Sequence, residues 1–252
     1  MDFRSSDSVA VSINWAAVGA FRVALWPKLE QPGVDALCAA VSDAARDHAM
    51  KIGHPSRRQE WLAARVLSKK LTGREPSAGP LGCPIWDGGW QGSISHKNGH
   101  VALWCAERAA TICGVDLELV RELSAGVTSK IMKDEEILIC DDVLPVLGNS
   151  LIFAAKEAIY KALFPMVGRV FYFDAVALID FSCAGNSCEL VFSVLDALKA
   201  PQLTGVKIRV SAKKIRLEGG GRTVPENTGD RSNVIPTYYW IVVASLPVGC
   251  HS

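Results

Sequence analysis

Two acidic residues, Asp116 and Glu118, alternate with apolar residues in the hydrophobic segment 113–119. Alternation in a β-strand places both carboxylates on one face and the apolar residues on the other. Because two neighbouring carboxylates repel each other, this arrangement favours a bound counter-cation. Carboxylate oxygens without thiols or imidazoles suit a hard ion such as Mg²⁺, which also tends to bind substrate phosphates. The alternative is that the two acids form the solvent side of an edge strand.

Glu157 and Lys161 lie four residues apart in segment 150–163, whose apolar spacing predicts a helix. They share one helix face, and Lys156 lies on the next. Glu157 is therefore the third carboxylate of a candidate site with Asp116 and Glu118. The alternative is a surface ion pair between Glu157 and Lys161, worth roughly a few tenths of a kcal/mol.

Basic residues and a histidine precede the acidic strand. The helix predicted over residues 57–71 carries Arg58, Arg65 and Lys69 near one stripe, because a seven-residue step returns almost to the same angle. A short run of small residues then ends in His96, beside a predicted turn. His96 is a candidate functional residue, and the alternative is an ordinary capped loop residue.

Strands and helices alternate along the chain and must position these groups. The predicted strands are 9–25 (one or two, with a turn at Gly19), 93–95, 101–105, 111–119, 170–180, 188–194, 206–210 and 237–244, and the predicted main helices are 34–49, 57–71 and 150–163. The Gly-rich segments 74–92 and 218–233 are expected to be loops. These elements predict an α+β protein of two small α/β lobes, with an N-terminal lobe of residues 1–110 and a C-terminal lobe of residues 111–252.

The bulk composition argues against several classes of protein. The 252 residues carry 27 Lys and Arg against 26 Asp and Glu, so no overall charge draws the chain to nucleic acid or to a membrane surface. Residues 1–10 have no uninterrupted apolar core, and no apolar run is long enough to span a membrane, so neither a secretory signal nor a transmembrane helix is expected. The eight cysteines contain no Cys-x-x-Cys pair, which predicts reduced thiols. We expect a cytoplasmic protein and a monomer.

Five motifs follow one another between residues 50 and 180. They are Arg57-Arg58-x-x-Trp61-Leu62-x-x-Arg65, Pro84-x-Trp86, Gly92-Ser93-Ile94-Ser95-His96, Gly114-Val115-Asp116-Leu117-Glu118 and Phe153-x-x-Lys156-Glu157-x-x-Tyr160-Lys161. Their types and order resemble those of the 4'-phosphopantetheinyl transferase family in its larger single-chain form, which implies two pseudo-symmetric α/β lobes. The resemblance is closest to the branch that includes the enterobactin-pathway enzyme and its pseudomonad relatives.

The resemblance implies a Mg²⁺-dependent transfer of the 4'-phosphopantetheine arm of coenzyme A to a serine of an apo acyl or peptidyl carrier protein, with release of 3',5'-adenosine bisphosphate. It implies Mg²⁺ ligands at Asp116, Glu118 and Glu157. Glu157 is also the candidate general base, and Lys161 would stabilise charge on the leaving oxygen. The C-terminal lobe would thus hold the metal site and the catalytic helix.

The resemblance also implies residues that contact coenzyme A, chiefly in the N-terminal lobe. They are Arg57, Arg65, Ser95, His96, Lys156 and Lys161. Arg57 and Arg65 would bind the 3'-phosphate, whereas His96 and Lys161 would bind the diphosphate and its neighbours. Lys156 would help to hold the anionic tail. Beyond the catalytic lysine, Phe164 and Met166 would contact the carrier protein beside Arg169, or would simply join the core.

The chain departs from this branch around its Pro-x-Trp motif. The branch usually carries a basic residue just before that motif, where this chain has Gly82-Cys83, and a proline after the Trp, where this chain has Asp87. One phosphate contact is then either missing or supplied by another residue, such as Arg74. Two alternative functions stay open: another Mg²⁺-dependent phosphoryl or nucleotidyl transferase, and a catalytically silent homologue that binds carrier proteins. The carrier protein and its pathway (siderophore, nonribosomal peptide, polyketide or fatty acid) are also open.

Overall fold

The computed structural model describes residues 13–28, 31–107, 110–140, 149–218 and 237–247. The first part of the chain forms a four-stranded antiparallel sheet in the order β1-β2-β6-β5. Its elements are β1 (Asn14–Val18), β2 (Phe21–Trp26), α1 (Val34–Ala40), α2 (Asp43–Met50), α3 (Pro55–Thr72), β3 (Ser77–Ala78), β4 (Pro84–Ile85), β5 (Trp90–Lys97) and β6 (His100–Glu107). Strands β3 and β4 pair as a separate small ribbon. Helix α3 packs on β6 and β5, and α1 and α2 pack on α3.

The second part of the chain forms a five-stranded antiparallel sheet in the order β7-β11-β10-β9-β8. Its elements are β7 (Thr111–Leu119), α4 (Ala125–Ile131), α5 (Asp134–Cys140), α6 (Ser150–Val167), β8 (Val176–Ala184), β9 (Ser187–Val194), β10 (Lys207–Arg216) and β11 (Tyr238–Pro247). Helix α6 lies across β7 and β11, so the strand with the paired acids and the helix with Glu157 are in contact.

Among the described residues, one of three apolar cores is shared by both sheets. It buries Val18 and Trp104 from the first sheet against Val115 and Ile241 from the second. The other two cores lie beneath α1–α3 and between α6 and the second sheet. The helices and antiparallel sheets confirm the predicted mixed α and β class. The change of sheet falls between β6 and β7, near residue 110, and the pseudo-symmetry of the two lobes stays a prediction.

Several element boundaries differ from the predicted ones for local reasons. The helix predicted over 34–49 is divided into α1 and α2, because Ser42 caps α2 by accepting a hydrogen bond from Ala45 N–H while its own N–H binds Glu75. Helix α6 continues past residue 163 and ends where Gly168 adopts a φ of 68°. The predicted loop 218–233 lies almost wholly outside the described residues.

The cysteines correct one prediction. Cys183 and Cys188 lie opposite each other in the β8–β9 hairpin and form a disulfide, so the expectation of reduced thiols is wrong for this pair. Cys38, Cys83 and Cys105 are free, as is the buried Cys113. Within the described ranges, no helix combines the length and apolarity that a membrane span requires.

Candidate active site

Strand β7 and helix α6 approach each other closely at Gly114. Gly114 lies so close to the backbone of α6 that a β-carbon there would collide with the Ala158 carbonyl oxygen and come within 2.6 Å of Ala162 N. This approach brings the Lys161 side chain onto β7, where its ammonium group donates a hydrogen bond of 3.1 Å to the Val115 carbonyl oxygen. The lysine of α6 and the acids of β7 therefore lie at the same place.

Asp116 occupies the centre of this junction and is only 6% exposed. Its Oδ1 accepts hydrogen bonds from Lys161 Nζ at 2.7 Å and from Ser95 Oγ at 2.8 Å. The Ser95 hydroxyl also accepts a hydrogen bond from Leu117 N–H at 3.2 Å, and its side chain is buried. The predicted contact of Ser95 with coenzyme A is at odds with this arrangement, because the hydroxyl is already used to orient Asp116.

Glu118 lies two residues further along the same strand face and is 3% exposed. Its Oε2 accepts a 2.6 Å hydrogen bond from Lys97 Nζ. Its Oε1 accepts one from Leu119 N–H, and Arg121 lies 3.7 Å away at the rim. Burial argues against the alternative that Asp116 and Glu118 merely form a solvent-facing side. Lys97 was missed in the sequence, where its only signal is its position next to His96.

Glu157 is half-buried and faces the two acids of β7. Burial raises the pKa of Glu157, and the charges of Asp116 and Glu118 raise it further, against the opposing effects of Lys161 and Lys97. In the described part of the chain, the Glu157 carboxylate accepts no hydrogen bond and forms no ion pair. It is therefore a carboxylate of raised basicity with its oxygens available.

The three carboxylates suit a hard divalent ion in kind and number. Their mutual effect on the pKa of Glu157 shows that Asp116 and Glu118 lie within electrostatic reach of Glu157. As they stand, however, no three acidic, histidine or cysteine side chains among the described residues converge closely enough to hold one metal ion. Lys161 pairs with Asp116 Oδ1, and Lys97 pairs with Glu118 Oε2.

His96, the second-last residue of β5, lies next to a buried glutamate of α3. His96 Nδ1 lies 2.9 Å from Glu60 Oε2, although the ring N–H is not aligned with that oxygen. Glu60 Oε1 accepts a 2.7 Å hydrogen bond from Gly99 N–H in the β5–β6 turn. Burial raises the pKa of Glu60, but His96 and the Gly99 N–H outweigh this effect and lower it overall. Glu60, which sequence reasoning missed, thus fixes His96 relative to α3.

Arg65 is 4% exposed, and its guanidinium lies 3.8 Å from the centre of the Trp61 ring. The other partner of Trp61 is His48, whose ring stacks on it at 4.7 Å. Burial lowers the pKa of Arg65 to about 10, with Glu75 opposing the shift. Among the described residues Arg65 makes no hydrogen bond, and its Nε is buried without a partner. A buried cation without a hydrogen-bonding anion is costly and marks a position that an anionic ligand would stabilise. Arg57, by contrast, is exposed near the start of α3.

Lys156 does not join the site. Its side chain is almost fully buried, and Nζ donates to Glu136 Oε2 at 2.8 Å and to the Ile131 carbonyl oxygen at 2.7 Å. Glu136 in turn accepts hydrogen bonds from the backbone N–H groups of Lys133 and Leu178. The predicted contact of Lys156 with coenzyme A does not fit this burial, so we assign Lys156 to holding α5 and β8 against α6.

A cleft of about 730 Å³ opens beside Glu157 and Lys161. One wall belongs to residues 81–94 and the other to the end of α6; the side chains that decide its character are Cys83, Trp86, Trp90, Tyr160, Phe164 and Met166. Burial raises the pKa of Cys83, which makes that thiol an apolar part of the wall. Phe164 is 8% exposed and mostly belongs to the core, whereas Met166 is half-buried on the cleft.

Two basic residues near the cleft have partners within the protein. Arg74 lies 3.5 Å from Asp87, and both side chains are exposed. Arg169 donates to the carbonyl oxygens of Leu198 and Lys199, at 2.6 and 2.5 Å. Arg74 thus lies beside the Trp86 loop, and Arg169 is tied to the loop after β9.

Comparison with known proteins identifies the family. Residues 112–203, which contain β7 and α6, match the 4'-phosphopantetheinyl transferase superfamily. The chain is 30% identical over 155 residues to the 4'-phosphopantetheinyl transferase Npt of Nocardia iowensis, covering 58% of this chain and 68% of the relative. It is 30% identical over 172 residues to the 4'-phosphopantetheinyl transferase PptT of Mycobacterium tuberculosis, covering 63% and 75%. A third relative, the 4'-phosphopantetheinyl transferase Svp of Streptomyces mobaraensis, is 30% identical over 135 residues, 49% of this chain and 55% of the relative.

The chain therefore belongs to the 4'-phosphopantetheinyl transferase superfamily. It is a transferase, and the group it moves is 4'-phosphopantetheine. These matches do not distinguish the enterobactin-type branch, which stays a prediction.

Proposed function

We propose that this chain uses coenzyme A as donor and a serine of an apo carrier protein as acceptor, with Mg²⁺ bound by Asp116, Glu118 and Glu157. The observation that carries the proposal is the position of Lys161 on Asp116, with Glu157 on the same helix within electrostatic reach of both acids of β7, where Gly114 lets α6 approach the strand. Membership of the superfamily supports the donor and the type of acceptor.

Mg²⁺, when bound, would neutralise the diphosphate of coenzyme A and polarise the phosphorus that is attacked. The oxygen donors suit this ion, and two of the three carboxylates would have to exchange a lysine for it. The surrounding strand face is buried, so each charge would act in an environment of low dielectric constant. The three carboxylates thus fit Mg²⁺ in the chemistry of their donor atoms and in their charge.

The proposed reaction is a phosphoryl transfer. The serine Oγ of the carrier protein forms a bond to the phosphorus that bears the pantetheine arm, and the bond from that phosphorus to the bridging oxygen breaks. Glu157, whose pKa is raised and whose oxygens are available, accepts the proton of the serine hydroxyl. Lys161 donates a hydrogen bond to the leaving oxygen of 3',5'-adenosine bisphosphate.

The N-terminal lobe would bind the nucleotide end of coenzyme A. Arg65 is the strongest candidate for the 3'-phosphate, because its buried guanidinium lacks a hydrogen bond. Arg57 would assist from its exposed position, and His96 would contact a phosphate with the ring nitrogen that does not face Glu60. The apolar cleft beside Tyr160 and Met166 would then receive the acceptor side of the reaction. We expect the enzyme to act as a monomer in the cytoplasm.

Intact-mass spectrometry of apo carrier proteins tests this function directly. The carriers are incubated with the protein, coenzyme A and Mg²⁺, and modification should add the mass of one phosphopantetheine. Carrier proteins from siderophore, polyketide and fatty-acid synthesis, compared in parallel, would identify the preferred acceptor. Reactions with EDTA and with the Glu157→Gln variant are the controls. If no carrier gains mass while a known transferase modifies the same carriers, the proposal is wrong.

A further inference from the structure

Lys97 is the last residue of β5 and extends from the N-terminal lobe into the carboxylate site. Its ammonium group lies 2.6 Å from Glu118 Oε2, an oxygen of a residue that is 3% exposed. The side chain of Lys97 is 29% exposed, so the ammonium group is at the boundary between the buried acid and solvent. The ammonium group is therefore accessible from solvent while it is paired with Glu118.

Lys97 and Lys161 occupy matching positions on the two acids of β7. Lys161 comes from α6 and contacts Asp116 at 2.7 Å with a side chain that is 28% exposed, almost the value for Lys97. Both lysines also lower the pKa of Glu157, which places both ammonium groups within electrostatic reach of that carboxylate. One lysine thus approaches the site from each lobe.

The balance of charges suggests how these lysines would respond to a bound divalent ion and diphosphate. Three carboxylates face two lysines here, with Arg121 at the rim. A divalent ion on the carboxylates would take over the partners of both ammonium groups. The diphosphate of coenzyme A would supply new anionic partners at the same place, and a lysine can rotate towards it because its stem is flexible.

Two other candidate residues in the N-terminal lobe do not bring a positive charge to the carboxylates. Cys83, in the apolar wall of the cleft, supplies no positive charge. Arg74, the other candidate, contacts Asp87 instead of the carboxylates. Lys97 lies directly at the site.

We propose that Lys97 binds the diphosphate of coenzyme A, opposite Lys161. This inference rests on the proposed function, since it takes coenzyme A and Mg²⁺ as the ligands. In the absence of ligand Lys97 neutralises Glu118, and with ligand it contacts a diphosphate oxygen. The contact is to the diphosphate rather than the 3'-phosphate, so it should be equally important for coenzyme A and dephospho-coenzyme A.

Binding measured by calorimetry with Mg²⁺ tests the proposal without relying on turnover. Lys97→Met should weaken both coenzyme A and dephospho-coenzyme A by about tenfold or more, as expected for the loss of one hydrogen bond between charged groups. Lys97→Arg should retain most of the affinity. Lys207→Met is the matched control, because it removes the same charge from an exposed position on β10, two strands away from β7.

A second pair of variants separates ligand binding from neutralisation of Glu118. If Lys97 only neutralises that acid, Lys97→Met should have no further effect on coenzyme A binding in a Glu118→Gln background, and that result would overturn the proposal. A further loss of affinity in the double variant would support it, and the neutral glutamine also keeps the double variant free of an unpaired buried charge. Unaltered binding by Lys97→Met, with tight binding by the wild type, would refute the inference alone. A wild-type protein that fails to bind coenzyme A would refute the proposed function as well.

Discussion

The α-carbon of Gly114 lies against the carbonyl group of Ala158, with no room for a β-carbon between the strand and the helix. This contact sets the distance between β7 and α6 and hence between the acids of the strand and the Glu157–Lys161 face of the helix. The φ angle of Gly114 is not positive, so its backbone conformation does not call for glycine. Glycine is required here because a side chain would collide with α6. A glycine in the middle of a strand is therefore part of the active-site architecture.

Gly114→Ala should destabilise the protein by at least about 2 kcal/mol, because the added methyl meets backbone atoms that cannot rotate away. Urea unfolding measures the change. Gly126→Ala is the control: Gly126 lies in α4, where an added β-carbon would have nothing within 4 Å, so alanine should be neutral or slightly stabilising. Equal stability of the two variants would mean that α6 does not pack on β7 as described.

Glu157→Gln should abolish transfer while keeping the fold. Glutamine has nearly the same volume but cannot accept the serine proton or contribute charge to a cation, so we expect kcat to fall by about a hundredfold or more. Since Glu157 is half-buried among other acids, its neutralisation should leave the melting temperature unchanged or higher. Full activity in a folded variant would remove Glu157 from the catalytic machinery.

Arg65→Met should weaken coenzyme A binding by about tenfold with little effect on dephospho-coenzyme A, which lacks the 3'-phosphate. The free protein should be no less stable, since the substitution removes a buried cation that has no hydrogen bond. Arg58→Met, on the same helix, is the contrasting control. Arg58 donates to the Ile52 carbonyl oxygen, so its loss should lower stability and spare binding. Equal weakening of both ligands by Arg65→Met would indicate a structural role for Arg65 instead.

His100 should make the protein less stable in mild acid. Burial first, and then Lys28, lowers its pKa to about 4, against about 6.5 in an unfolded chain. The unfolded state therefore binds more protons between these values, and stability falls as pH decreases through this window. The loss from this group should reach about 2 kcal/mol at pH 5. Unfolding curves of wild type and His100→Gln between pH 7 and 5 isolate the contribution of His100 to the free energy of unfolding. Identical pH dependence of the two proteins would contradict this prediction.

The sequence predicted the acids of β7 and the helix of Glu157 because both depend on local periodicity. Periodicity could not show which side of α6 faces β7, and the family resemblance assigned both Lys156 and Lys161 to the ligand. In the structure Lys161 contacts Asp116, whereas Lys156 pairs with Glu136 in the core. Partners such as Lys97 and Glu60 were missed because their contacts join separate elements, which periodicity does not report.

The serines of β5 also bind the backbone of β7, in addition to orienting Asp116. Strand β7 is the outermost strand of its sheet, and such an edge can recruit another chain through its free amide groups. Ser93 Oγ accepts a hydrogen bond from Val115 N–H at 2.9 Å, and Ser95 Oγ accepts one from Leu117 N–H. The two hydroxyls thus accept hydrogen bonds from alternate amides of this edge, which is buried against β5. At these residues the edge of β7 is therefore already closed to pairing with a further strand.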